Sequence, residues 1–153
     1  MISRYESFTA CISTLYHAIQ KIERAEMEKF GLKGPHAHCL LVISRHPEGL
    51  TAARLCELCE KDKAAVSRIL SELVQEGMVR RECRNGSRYR ALLLLTKKGQ
   101  QAAGAVYEKA RLAVERASGK MDEMQRDFFY RMLSSISENL TTLCKDGLHK
   151  GTV

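Results

Sequence analysis

The sequence predicts a mainly α fold with one small β-hairpin, an α+β class in which residues 1–153 form a single domain. Stretches at both ends place apolar residues at steps of three and four, which is typical of long helices. Between them lie two short predicted helices, followed by an Asn-Gly pair between two short strands. The longest wholly apolar runs have five residues. A membrane-spanning helix needs roughly 20, so no membrane partner is expected.

The first long helix is predicted within residues 1–34. Its apolar residues recur at helical spacing. They are Tyr5, Phe8, Ile12, Leu15, Ile19 and Ile22. Gly31, Gly34 and Pro35 are stop signals that end this helix. A second, shorter helix is predicted from about His36 to Ser44.

Two short helices joined by about three residues predict a helix-turn-helix. Thr51 is the predicted N-cap of the first, which ends near Cys59, and Asp62 caps the second, from about Lys63 to Glu76. The second helix has one apolar stripe and ends at Gly77. The residues of that stripe are Val66, Ile69, Leu70, Leu73 and Val74.

A β-hairpin follows directly. Val79 to Cys83 and Tyr89 to Leu95 are predicted strands, and the Asn-Gly pair between them favours a tight type I′ turn. A hairpin after a helix-turn-helix is a wing, so the sequence predicts a winged helix-turn-helix over about 36–98. Residues 79–95 are called the wing below.

Two long helices complete the chain. Thr96 is placed to cap the first, which runs to about Ala117, and the second spans about Asp122 to Cys144. The apolar stripes of the terminal helices are too extensive for the winged segment to cover. Residues of about 1–34 and 100–147 are therefore predicted to form a homodimer. The alternative is a monomeric helical bundle.

The positive charge is concentrated in one quarter of the chain. Net charge is +7, and the segment from Lys63 to Lys98 holds nine Lys or Arg against three Glu. This segment carries +6 and the rest of the chain only +1. Such a field attracts a polyanion such as DNA, and a loop that reaches phosphates needs cations. The alternative is a basic face that is merely solvated.

These motifs resemble the MarR (multiple antibiotic resistance regulator) family of dimeric winged helix-turn-helix transcription factors. The resemblance covers nearly the whole chain. "LTAARLCELCEKDKAAVSRILSELVQEGMVRR" (Leu50 to Arg81) is similar to the family's helix-turn-helix and its exit into the wing. "LLTKKG" (Leu94 to Gly99) is similar to its return into helix. The resemblance implies a regulator, most often a repressor, that is released by a small aromatic or anionic effector. With no secretory signal or membrane span visible in the sequence, we expect a cytoplasmic protein, and we expect no cofactor.

The expected interface reads a pseudo-palindromic operator in double-stranded DNA. The first turns of the recognition helix would meet base edges in the major groove, and the wing would contact the minor groove and phosphates. The candidate DNA-binding residues are Thr51, Lys63, Ala64, Ala65, Ser67, Arg68, Arg84, Asn85, Ser87, Arg88 and Arg90.

The wing departs from the family pattern in one place. Many members carry Asp-x-Arg there, whereas this chain has Ser87 at the aspartate position and Tyr89 at the arginine position. Arg88 is favoured as the minor-groove residue because it is nearer the tip than Arg90.

We therefore expect Arg88→Ala to weaken binding at moderate salt with little change in sequence preference, measured by competition between duplexes. Unchanged affinity would remove Arg88 from the interface.

Regulation has two candidate sites. The resemblance implies an effector held between the winged segment and the dimer helices, for which Tyr16, His17, His36 and His38 are candidates. The family's peroxide-sensing branch has a cysteine on its first helix, where this chain has Cys11. A thiol-based redox regulator using Cys11 is therefore an alternative, against a packed core cysteine.

The remaining chemistry-bearing residues predict no metal site and no enzyme. Six cysteines without an export signal are read mostly as reduced, buried apolar residues. Cys56 and Cys59 form C-x-x-C, but no second pair with zinc spacing follows. No phosphate-binding glycine loop, nucleophile elbow or zinc-protease motif is present. A winged-helix module for protein interaction, without a regulatory role, is a further alternative.

Overall fold

A computed structural model describes residues 3–83 and 91–147. It is mainly helical with a two-stranded antiparallel hairpin, which confirms the predicted fold class. In chain order the elements are α1 (Arg4–Glu28), α2 (Gly34–Ser44), α3 (Ala52–Cys59), α4 (Lys63–Gln75), β1 (Val79–Glu82), β2 (Leu92–Leu95), α5 (Lys97–Ala117) and α6 (Glu123–Asp146). Among these residues, no helix is long and apolar enough to cross a membrane.

The chain divides within α5 into two compact units, residues 1–112 and 113–153. The hydrophobic core lies in the first unit, where α2 is buried along most of its length. Its largest fully buried side chains are Met27, Cys39, Leu40, Ile43, Leu55, Val66, Leu70, Leu73, Met78, Leu93 and Val106. No residue of α6, in the second unit, is buried.

The start of α2 differs from the prediction. Gly34 and Pro35 were expected to separate helices, but α2 begins at Gly34 and Pro35 occupies its first turn. Proline is tolerated there because the first amides of a helix have no intrahelical partner. The His36 ring completes this start, since its Nδ1 accepts a hydrogen bond from the Lys33 amide at 2.9 Å.

The helix-turn-helix is formed by the predicted caps. Thr51 Oγ1 accepts from the Arg54 amide at 3.2 Å, and Asp62 Oδ1 accepts from the Ala65 amide at 2.8 Å. Glu60 adopts a left-handed conformation (φ 51°) that ends α3 and turns the chain toward α4. The caps and this turn fix the direction in which α4 leaves α3.

The described part of the wing is held to the core by backbone pairing. Its two strands are antiparallel, with Val79 opposite Leu95 and Glu82 opposite Leu92. Leu50, just ahead of α3, adds a short bridge to Leu93. Both ends of the helix-turn-helix are thereby tied to the hairpin.

Thr96 joins the wing to α5. Its hydroxyl donates to the Gly77 carbonyl at 2.6 Å and accepts from the Gly99 amide at 3.1 Å.

We expect Thr96→Ala to lower the free energy of unfolding by about 1–2 kcal/mol, because both the cap and the link to Gly77 are lost. Urea unfolding measures this change. Thr96→Ser, which keeps the hydroxyl, serves as the control and should lose less than half as much.

The terminal helices expose their apolar stripes. Leu15 of α1 is 51% exposed, and Leu140 of α6 is 47% exposed. The exposed apolar residues of α1 are Tyr5, Phe8, Ile12, Leu15, Tyr16 and Ile19. Those of α6 are Met124, Phe128, Phe129, Tyr130, Met132, Ile136, Leu140 and Leu143. Stripes of this length are unusual on a monomer and are typical of surfaces that another chain covers.

Candidate nucleic-acid interface

The two faces of α4 differ sharply in character. One face buries Val66, Leu70 and Leu73 in the core. Lys63, Ala64, Ser67 and Arg68 lie on the exposed side, and Ala65 is half-buried. The predicted recognition helix is therefore anchored by its apolar stripe while its first two turns face solvent.

The cations at the front of α4 are available to a ligand. Among residues 3–83 and 91–147, no carboxylate lies within ion-pair distance of Lys63 or Arg68. The helix N-terminus adds partial positive charge, although Asp62 satisfies one of its amides. The small side chains of Ala64 and Ala65 leave room for the edge of a DNA groove to approach the backbone of α4 closely.

Thr51 lies at the start of α3 and is half-buried. Its oxygen accepts from the Arg54 amide, which leaves the hydroxyl hydrogen able to donate. A helix N-terminus with a capping hydroxyl is a common phosphate contact. Thr51 is therefore suited to contacting a phosphate of the DNA backbone and not to reading bases.

The base of the wing carries further cations. Arg80 and Arg81 are exposed on β1, and Arg80 pairs with Glu82 through Nη1 and Oε2 at 2.6 Å. Arg81 was counted in the basic segment but was not singled out as a site residue, although its exposure suits a phosphate contact. Five predicted site residues lie outside the described residues. They are Arg84, Asn85, Ser87, Arg88 and Arg90.

The four predicted effector residues do not form one group. Tyr16 and His38 line the same cavity of about 530 Å³ between α1, α2 and the end of α3. His17 contacts the Tyr16 ring, with centroids 6.0 Å apart, but does not line that cavity. His36 is buried, and its Nε2 is 2.8 Å from Glu72 Oε2 on α4. Lys33, and then His36, lowers the pKa of that carboxyl. His36 therefore ties α2 to the recognition helix.

The cysteines differ from the prediction that most are buried. Cys39 and Cys59 are buried and Cys56 is half-buried, but Cys11, Cys83 and Cys144 are exposed. Cys11 is exposed on α1, so it is not a core residue of the described chain. Among the described residues, no group of three or more His, Cys, Asp or Glu is placed to hold a metal ion.

Comparison with known families identifies the segment that contains this surface. The sequence profile of the MarR family matches residues 30–99, which run from just after α1 to the first turn of α5. This segment belongs to the MarR family. MarR proteins are transcription regulators and not enzymes. Comparison with curated protein sequences finds no match.

Solved structures extend the MarR likeness to the fold of nearly the whole chain. A MarR family regulator from Silicibacter pomeroyi shares 20% identity and a TM-score of 0.74, over 98% of this chain and 97% of that one. The crystal structure of MarR gives 20% identity and a TM-score of 0.77, over 96% and 99%. A MarR family regulator from Listeria monocytogenes, solved with a 26mer DNA, gives 19% identity and a TM-score of 0.76, over 94% of this chain and 97% of that one.

Proposed function

We propose that the chain is a sequence-specific regulator of transcription that binds double-stranded DNA as a homodimer. The observation that carries the proposal is the exposed front of α4, where Lys63 and Arg68 lack carboxylate partners among the described residues. The buried stripe on the opposite face holds this surface in place. The regulator would act as a repressor in the cytoplasm and would release DNA when it binds a small aromatic or anionic effector.

Relatives of the same fold support DNA as the partner. The Listeria monocytogenes structure contains a 26mer DNA, and a structure of MepR from S. aureus is a DNA complex. In the proposed complex, Ser67 and Arg68 contact base edges in the major groove, while Thr51 and Lys63 contact phosphates. The two recognition helices of the dimer would read half-sites centred about 34–36 Å apart.

The test of this proposal uses the DNA upstream of the gene. A labelled duplex from that intergenic region is titrated with the protein, and an equal length of scrambled sequence serves as competitor. We expect the upstream duplex to bind at least about 1,000-fold more tightly than the scrambled one, as specific regulators do. Equal, weak binding of both duplexes would favour the alternative of a winged-helix module that contacts proteins and controls no gene.

A homodimer accounts for the exposed apolar stripes of α1 and α6. Each stripe repeats at helical spacing, and burying such area against a second copy stabilises the pair by about 25 cal/mol per Å². No other surface of the described residues shows long apolar stripes of this kind.

We expect Leu140→Glu to dissociate this dimer at micromolar concentration, because the charge would be buried without a partner. Light scattering coupled to size-exclusion chromatography gives the mass of the particle directly. Ser134→Glu adds the same charge to the opposite side of α6, where Ser134 is exposed, and should leave the dimer intact. A wild-type mass equal to one chain would contradict the dimer.

The cavity beside α1 suits the proposed effector. Tyr16 and Ile19 offer apolar and aromatic contact, and Arg24 and Lys61 offer positive charge to an anionic group, although the carboxylates of Glu23 and Glu60 also line the cavity. A ligand in this cavity would contact α1 and the end of α3 together. Its binding would therefore shift α3, the helix directly ahead of α4. Salicylate, which is both aromatic and anionic, is a suitable probe in the same duplex titration.

Cys11 supports the alternative of redox control less well. It lies exposed on α1, with apolar Phe8 three residues before it and apolar Leu15 four residues after it on the same side of the helix. A sensing thiol needs hydrogen-bonding or cationic neighbours. We expect Cys11→Ser to leave the release of DNA by peroxide unchanged. Loss of that release in the variant would identify the Cys11 thiol as the sensor.

A further inference from the structure

Two buried cysteines of α2 and α3 form a sulfur pair that plays no part in the proposed interface. The Sγ atoms of Cys39 and Cys59 are 3.8 Å apart, and the residues are 0% and 6% exposed. They are separated by 20 residues, so only the packing of α3 against α2 brings them together. Cys56 lies one turn earlier on α3 and is half-buried.

The two thiols are electrostatically unequal. The hydrogen bond from Cys39, then that from His38 and the charges of His38 and Lys61, lower the pKa of Cys59 to about 5, although burial opposes this. The same hydrogen bond, together with burial, raises the pKa of Cys39. The shared hydrogen bond and the charges beside Cys59 therefore favour ionisation of Cys59 over ionisation of Cys39.

The charges around Cys59 favour a protonated His38 beside it. The hydrogen bond with Cys59 raises the pKa of His38, and Glu23 of α1 adds to that rise. Burial raises the pKa of Glu23 itself. The other charged groups that face the cavity here are Arg24, Glu60 and Lys61.

A small molecule can reach Cys59 from solvent. Cys59 forms part of the wall of the cavity of about 530 Å³, together with His38 and Lys61, whereas Cys39 does not line it. The cysteine with the lowered pKa therefore lines the cavity, and the one with the raised pKa lies behind it.

We propose that Cys59 and Cys39 form a peroxide-reactive dithiol that closes to a disulfide between α2 and α3. The Cys59 thiolate attacks a hydroperoxide oxygen, the O–O bond breaks, and the leaving alkoxide takes a proton from the His38 imidazolium. This step leaves Cys59 as a sulfenic acid and releases an alcohol. Cys39 sulfur then attacks Cys59 sulfur, the S–O bond breaks, and hydroxide leaves with the Cys39 proton as water.

The closure needs only a small movement. A disulfide has an S–S length of about 2.05 Å, so the two sulfurs must approach by about 1.8 Å from their separation of 3.8 Å. This chemistry involves neither Cys11 nor DNA, so its test is independent of the proposed function.

The experiment uses the full chain with Cys11, Cys56, Cys83 and Cys144 changed to serine. Cumene hydroperoxide should convert both remaining thiols to a disulfide, seen as a loss of two hydrogens by intact mass and as a linked peptide containing Cys39 and Cys59. In that background, Cys39→Ser should stop at a sulfenic acid that dimedone labels at Cys59. Cys59→Ser should leave Cys39 unlabelled. Two thiols that persist after oxidation, or equal labelling of both positions, would overturn the proposal.

A second measurement on the unmodified chain guards against variants that do not fold. Iodoacetamide labelling of Cys59, followed by peptide mapping, should be at most about twofold slower at pH 6 than at pH 8. A thiol of ordinary pKa would slow by about 80-fold over that range. His38→Gln should increase the pH dependence while leaving Cys39 unlabelled. A decline of the ordinary size in the wild-type chain would contradict a stabilised thiolate.

Discussion

Replacing Gly99 with alanine will strongly destabilise the winged segment. A Cβ at Gly99 would lie 2.0 Å from the Met78 carbonyl oxygen and 2.9 Å from its carbon. That carbonyl also accepts a hydrogen bond from the Thr96 amide at 3.0 Å, so it is not able to move aside. We expect a loss of about 3–5 kcal/mol in the free energy of unfolding.

Gly104 provides a matched control on the same helix. A Cβ at Gly104 meets no atom within 4 Å, so Gly104→Ala should raise the stability by about 0.5–1 kcal/mol through its better helix propensity. Urea unfolding of the two variants compares them directly. If Gly99→Ala were as stable as the wild type, α5 would not approach Met78 as closely as the structure has it.

A double charge reversal on α4, Lys63→Glu with Arg68→Glu, should lower affinity for the upstream duplex by about 100-fold or more at 0.1 M salt. Four unfavourable charges per dimer would then face the phosphates, and the contacts to base edges would be lost. Fluorescence anisotropy measures the affinity. Both residues are exposed, so the circular dichroism spectrum and the unfolding midpoint should stay close to those of the wild type.

The control for this prediction makes the same change in net charge at another part of the chain. Lys109→Glu with Lys120→Glu alters two exposed lysines outside α4 and the wing. We expect this variant to lose less than about fivefold in affinity, from the long-range field alone. If both double variants weakened binding equally, net charge and not the face of α4 would govern the interaction.

Local signals in the sequence were sufficient to predict most of the fold. Thr51, Asp62 and Thr96 cap helices as predicted, because a cap depends on residues within one turn. Gly34 and Pro35 were misread because the residues that end one helix also suit the first turn of the next. Periodicity alone does not distinguish these two roles when helices are closely spaced.

The features that the sequence did not predict depend on contacts between distant residues. His36 was a candidate effector residue, yet it is buried against Glu72, 36 residues later on α4. The Cys39 and Cys59 pair likewise requires two helices to pack in one particular register. The residue types were visible in the sequence, but their partners depend on tertiary packing.

The salt dependence of binding to the upstream duplex tests the central claim, that the front of α4 and the cationic wing bind DNA, most directly. The dissociation constant is measured between 50 and 200 mM salt for the wild type and for the Lys63→Glu, Arg68→Glu variant. We expect the wild-type affinity to fall by about 1,000-fold over this range, as for six or more phosphate contacts, and the variant to show a shallower slope. A wild-type affinity that does not change with salt, or identical slopes for the two proteins, would contradict it.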